Sequence, residues 1–117
     1  MDAEEITQRG RPVFEKYGIR KAILFGSFAT GRESRKSDID LILIQDTVAP
    51  YFERFEGILS ELYRAIPGRP IELFIYTPEE LQAIEHRRFI QTALREGRVI
   101  YEPGQEPLRG QEVARHG

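Results

Sequence analysis

A chain of 117 residues with 17 basic and 19 acidic side chains, a formal net charge of -2, has room for one domain and no surplus of positive charge with which to hold nucleic acid in bulk. Its 40% hydrophobic and 31% charged residues exclude a disordered chain, and the absence of cysteine excludes disulfides and thiolate sites. No apolar run approaches the roughly 20 residues that span a bilayer, and the acidic start, MDAEEI, is unlike a secretory signal, so a cytoplasmic protein is the expectation.

Residues 3–17 carry Ile6, Val13, Phe14 and Tyr17 at helical spacing; Gly10 and Pro12 predict a kink or a late start, and Gly18 predicts the end. The run KAILF at 21–25 is short, apolar and stopped by Gly26, which predicts a buried strand. The segment that follows, GSFATGRESRKSDIDLIL over 26–43, organises the rest of the chain. Gly26 and Ser27 leave a strand for a short helix, a turn able to aim N–H groups and a hydroxyl at a phosphate. Residues 30–37, with Gly31, Arg32, Arg35 and Lys36, predict an exposed loop whose bases reach a triphosphate or its acceptor. Ile39–Ile44 is apolar on both alternating faces except for its acids, the pattern of an inner strand. Alternation places Asp38 and Asp40 on one face, about 6.6 Å apart along the backbone. Like charges that close oppose each other's ionisation, and a divalent cation such as Mg²⁺ compensates them.

Residues 50–66 predict one long helix with Phe52, Phe55, Leu59, Leu62 and Ile66 in a stripe, packed in the core or in part against another subunit. After the Pro67–Pro70 loop, residues 71–76 predict a strand with Ile71, Leu73 and Ile75 on one face and Glu72, Phe74 and Tyr76 on the other. A charge inside so apolar a strand costs several kcal/mol unless paired or bound to a metal, so Glu72 calls for a partner. Thr77, Pro78 and Glu80 spell a helix start with a capping box. That helix should run to Glu96, bend near His86 and end at Gly97; His86 reads as a surface residue. Residues 98–102 predict a short edge strand, and 103–117, including His116, a mobile tail. Together these elements predict an α+β layer: a small sheet of three to four strands, helices packed on one face, and the site at the strand ends.

The order Gly-Ser, a further glycine, then Ser-Asp-x-Asp-Leu between two apolar runs resembles the signature of the polymerase-beta-like nucleotidyltransferases. Among these it is similar to the minimal nucleotidyltransferases, antitoxins found beside HEPN-domain toxins, and the likeness extends more loosely over residues 1–102. The resemblance implies the mixed sheet of the palm-like nucleotidyltransferase fold. It also implies transfer of AMP from ATP to a hydroxyl, with two Mg²⁺ or Mn²⁺ ions held by Asp38, Asp40 and Glu72. The family takes its third acid from this strand, more often as aspartate, and Glu72 stands at the matching position. Gly26 and Ser27, with Arg32, Arg35 and Lys36, would bind the phosphates. By the same resemblance the acceptor is a tyrosine on a HEPN toxin, which the transfer silences. Two other expectations stay open: an antitoxin that acts by contact alone, and a small-molecule transferase of the aminoglycoside-modifying kind, in which a homodimer supplies the second wall.

Overall fold

The computed structural model describes residues 1–104; apart from Pro103 and Gly104, the expected tail and His116 lie outside the described residues. Helix α1 (Ala3–Lys16) opens on Asp2, whose carboxylate accepts the Glu5 N–H at 3.0 Å. It neither starts late nor breaks: Pro12 lies inside it, and Gly10 is buried because the Phe14 ring occupies the space a side chain would need. Gly18 ends it, as expected. Strand β1 (Ile19–Phe25) then leads into α2 (Ser27–Thr30), and after an exposed loop comes β2 (Ile39–Gln45).

The long helix expected over 50–66 is two pieces. A 3₁₀ turn at Tyr51–Phe55 is separated from α3 (Ile58–Ala65) by Gly57 at φ 82, where an added Cβ would lie 2.6 Å from the Tyr17 hydroxyl. The break redirects the stripe. Ile58, Leu62 and Ile66 are buried, whereas Phe52 projects into solvent, 85% exposed.

Strands β3 (Ile71–Tyr76) and β4 (Arg98–Tyr101) complete a four-stranded sheet of order β3-β2-β1-β4. It is mixed: β1 runs antiparallel to β2 and β4, while β2 and β3 are parallel. Between β3 and β4 lie α4 (Pro78–Ile84) and α5 (Arg88–Glu96), parted near His86 and closed by Gly97, with the Thr77–Glu80 capping box formed.

Helices cover both faces of the sheet, not one. Ile39, Leu41 and Leu43 of β2 pack with Ile6, Phe14, Phe28, Ile58 and Leu62. On the opposite face Ile42 packs with Ile23 and Phe25 of β1 and with Ile90 and Ala93 of α5. The cause is the double-sided apolar alternation of β2, each fully buried Leu or Ile of which stabilises the fold by about 1.5–3 kcal/mol. Asp40 belongs to the second face by the same alternation.

Arg54 locks the far end of this sheet. Its side chain is 6% exposed, forks onto Glu80 at 2.6 and 2.8 Å, and donates to the carbonyls of Ala49 and Ile75. Arg54 and the Thr77 N–H hold the Glu80 carboxyl down at about 2. Arg54→Ala should therefore cost about 1.5–3 kcal/mol at neutral pH, the range for hydrogen bonds to charged groups. Because Glu80 is depressed in the folded state, its contribution is present above its ordinary value and lost as pH falls through about 2. The gap between the denaturant midpoints of wild type and variant should thus narrow in acid to what the two carbonyl bonds contribute; a constant gap would contradict the pairing.

Candidate active site

The ends of β1, β2 and β3 that meet at one edge of the sheet carry the expected acids. Phe25 pairs with Asp40 across the antiparallel strands, and Asp40 stands beside Glu72 across the parallel ones. Parallel neighbours in register share a face, so the two carboxyl groups stand together, where a protonated oxygen of one can donate a hydrogen bond to the other. Burial above all, then that bond, then the negative charges of Glu72 and Asp38, push the Asp40 carboxyl up from 3.8 to about 7. A carboxyl pair this close relieves its repulsion by sharing a proton.

Two expectations change in detail. Glu72 lies on an edge strand and is exposed, so its place there carries no burial penalty; Asp40, half-buried, is the member with an energetic need for a partner. Asp38 is exposed in the loop before β2, and its charge is the weakest of the influences on Asp40. Among the described residues no three His, Cys, Asp or Glu side chains already stand as a metal cluster. The set Asp38, Asp40 and Glu72 is a pair in register on neighbouring strands with a third acid in the loop before β2. The site nonetheless fits a hard divalent cation: all three donors are carboxylate oxygens, and a cation would offset the burial and the mutual repulsion that raise Asp40.

Gly26 adjoins the pair directly. Its backbone has φ 74 and ψ -153, and a Cβ built there would overlap Asp40 Oδ2. Ser27 opens α2 half-exposed, its carbonyl accepting the Arg32 N–H while its hydroxyl donates to no group among the described residues. The turn and the acids thus share one corner. Arg32, Arg35 and Lys36 are exposed, and among the described residues their side chains join no ion pair.

Residues with no chemical signature in the sequence hold this corner in shape. Arg69, in the loop read only as a turn, donates from Nη1 to the carbonyls of Ser34 at 2.8 Å and Ser37 at 3.0 Å, with its guanidinium 5.0 Å over the Phe28 ring. It therefore ties the loop that carries Asp38 to the start of β3. The Ile39 N–H donates to the Pro70 carbonyl, and the Tyr63 hydroxyl accepts the Ile71 N–H, fixing the residue before Glu72. Only the parallel pairing of β2 and β3, invisible in the sequence, brings Arg69 to this loop. Loss of Arg69 should loosen Asp38 without unfolding the core. Arg69→Ala is expected to weaken Mn²⁺ binding by roughly 10–100-fold, the scale for a group that orients a ligand. Titration of the ion by each protein checks this; equal affinity would remove Arg69 from the site.

The sequence matches the model of the family described as Polymerase beta, Nucleotidyltransferase over residues 8–106. Three solved structures share the fold. A toxin–antitoxin complex with AMP-PNP is 19% identical with TM-score 0.63, covering 85% of this chain and 75% of that one. A mutant of the toxin–antitoxin pair MntA–HpeT is 15% identical with TM-score 0.60, at the same coverages. A candidate nucleotidyltransferase from Sulfolobus solfataricus is 15% identical with TM-score 0.54, covering 86% and 83%. A candidate protein adenylyltransferase of Methanocaldococcus jannaschii is 35% identical over 43 residues, an alignment that takes in 37% of this chain and 46% of that relative. The family match runs through all four strands and both halves of the acidic corner, and the chain belongs to the polymerase beta nucleotidyltransferase family.

Proposed function

We propose that this chain transfers AMP from ATP to a hydroxyl of a partner protein in the cytoplasm, a tyrosine of a HEPN toxin, and so acts as an antitoxin. One observation carries the reading: Asp40 and Glu72 meet on neighbouring strands beside a turn that only glycine can make. Support for the donor and the partner comes from the fold neighbours, a toxin–antitoxin complex with AMP-PNP and a MntA–HpeT mutant in which two aspartates two positions apart are changed to glutamate. The Methanocaldococcus relative supports a protein acceptor.

In this reading the Gly26–Ser27 turn holds the β- and γ-phosphates, with Ser27 Oγ as a donor and Arg32, Arg35 and Lys36 as the cationic side of the corner. The α-phosphate is left open to in-line attack. The acceptor oxygen forms a bond to the α-phosphorus, the bond from that phosphorus to the bridging oxygen breaks, and pyrophosphate leaves with the electron pair. The hydroxyl proton passes to Glu72, the exposed acid on the neighbouring strand. Asp38, Asp40 and Glu72 would hold the divalent ions, which stabilise the attacking and leaving oxygens when bound.

The test is to mix the chain with its HEPN partner, ATP and Mg²⁺ and to weigh the partner. A gain of one AMP on a tyrosine is expected, lost with a chelator and lost when Asp38 and Asp40 are both changed to Asn. A partner of unchanged mass that is still silenced, by wild type and by the Asn variant alike, would make the chain an antitoxin that works by contact.

A further inference from the structure

The carboxylates border an aromatic surface that the transfer chemistry itself does not use. Phe25 lies opposite Asp40 in the sheet, and Phe74 is two residues beyond Glu72 on the same face. Phe89, from the first turn of α5, stands edge-on to both: 5.7 Å and 85° from Phe25, and 5.7 Å and 61° from Phe74. Its neighbours on that helix, Ile90 and Ala93, are buried, yet Phe89 keeps 52% of its surface in water. Arg87 and Arg88, both exposed, directly precede it and give this rim a positive charge. The other strongly exposed aromatic, Phe52, follows the opposite end of β2 and has no such continuity with the acids.

We propose that the exposed face of Phe89 is the nucleobase subsite, a stacking platform for the base of the nucleotide whose phosphates occupy the Gly26 corner. The inference rests on the transferase reading and deepens it. A nucleotide anchored by its phosphates at the acids carries its base one sugar away, over the apolar side of the corner. There the surface on offer is the Phe89 ring, held against Phe25 and Phe74 with half of its surface in water. The flanking arginines match the anionic ligand. Recognition by a ring face is tolerant of base identity and graded by stacking strength, so larger purines should bind better than pyrimidines.

The chain has no tryptophan, which makes Phe89→Trp a single reporter. Affinities for Mg²⁺-ATP, Mg²⁺-CTP and Mg²⁺-tripolyphosphate would be measured by calorimetry for wild type, Phe89→Ala and Phe89→Trp. Phe89→Ala should weaken ATP by roughly 10–100-fold, the scale of one base stacked on an aromatic ring, and leave tripolyphosphate unchanged. Phe89→Trp should retain ATP binding, and ATP but not tripolyphosphate should quench its fluorescence. Equal ATP affinity in Phe89→Ala, or an equal loss for tripolyphosphate, would overturn the subsite while leaving the transferase reading standing. A wild-type chain that binds neither ligand would overturn both.

Discussion

Asp40→Asn is expected to end transfer and, at the same time, to steady the fold at neutral pH. Both outcomes follow from one carboxyl. Asp40 is the best-placed acid in the corner: half-buried, bonded to Glu72, and adjacent to the Gly26 turn. An amide in its place keeps the shape and a hydrogen bond to Glu72, but it removes the charge that a cation needs. Loss of a preorganised charged group of this kind costs on the order of 10²–10³-fold in rate or more. Stability moves the other way. The folded chain holds the Asp40 proton up to about pH 7, against 3.8 ordinarily, so between those values the folded state binds more protons than the unfolded one. Stability of the ion-free protein therefore falls as pH rises through that window. Asparagine does not titrate and abolishes this slope. Melting temperatures in a chelator at about pH 5 and about pH 8 should diverge for wild type and lie close together for Asp40→Asn. Divalent ions should restore wild type at the upper pH and leave the variant nearly unmoved. A wild-type protein equally stable at both pH values would contradict the shared proton, and an active variant would end the catalytic reading.

What the sequence made legible was whatever depends on neighbours along the chain. The capping box at Thr77 and Glu80, the terminator Gly18 and the alternation of Ile71–Tyr76 formed as read, while the bend expected near His86 in one helix is a full break between two. Strand existence was equally plain, since Ile39–Ile44 had no other use for apolar side chains at every non-acidic position. Features set by contacts between distant segments were hidden. Gly57 falls inside the stretch read as one helix, and the positive φ that breaks it there, against the Tyr17 hydroxyl, depends on a residue forty positions earlier. Glu72 looked buried because its strand is apolar, but edge position is a property of strand order. The acidic pair was legible as composition and not as geometry. Spacing within one strand suggested Asp38 with Asp40, whereas the sheet register joins Asp40 to Glu72 instead. Arg69 was legible only as part of a turn, because its two carbonyl partners lie more than thirty residues away.

Gly26→Ala is the second change expected to be severe, and it separates geometry from charge because it removes no polar group. The backbone at Gly26, φ 74 and ψ -153, lies in a region essentially reserved for glycine, where a residue with a Cβ carries strain of about 1–3 kcal/mol. The added methyl would also overlap Asp40 Oδ2, the oxygen nearest the turn. Either the turn unwinds or Asp40 swings away from Glu72, and both movements part the phosphate side of the corner from the acidic side. Transfer should fall by at least about 10²-fold, as when one preorganised donor is lost. The overlap has a signature that backbone strain lacks. Shortening Asp40 to alanine removes the atom that the methyl meets, so the stability cost of Gly26→Ala should be smaller in the Asp40→Ala background than in wild type. The two changes should thus be coupled, by about 0.5–3 kcal/mol as contacting residues are, in a double-mutant cycle of denaturant unfolding. Additive stabilities would mean that the turn and the carboxylate do not touch in solution, and full activity in Gly26→Ala would place the phosphates somewhere other than this turn.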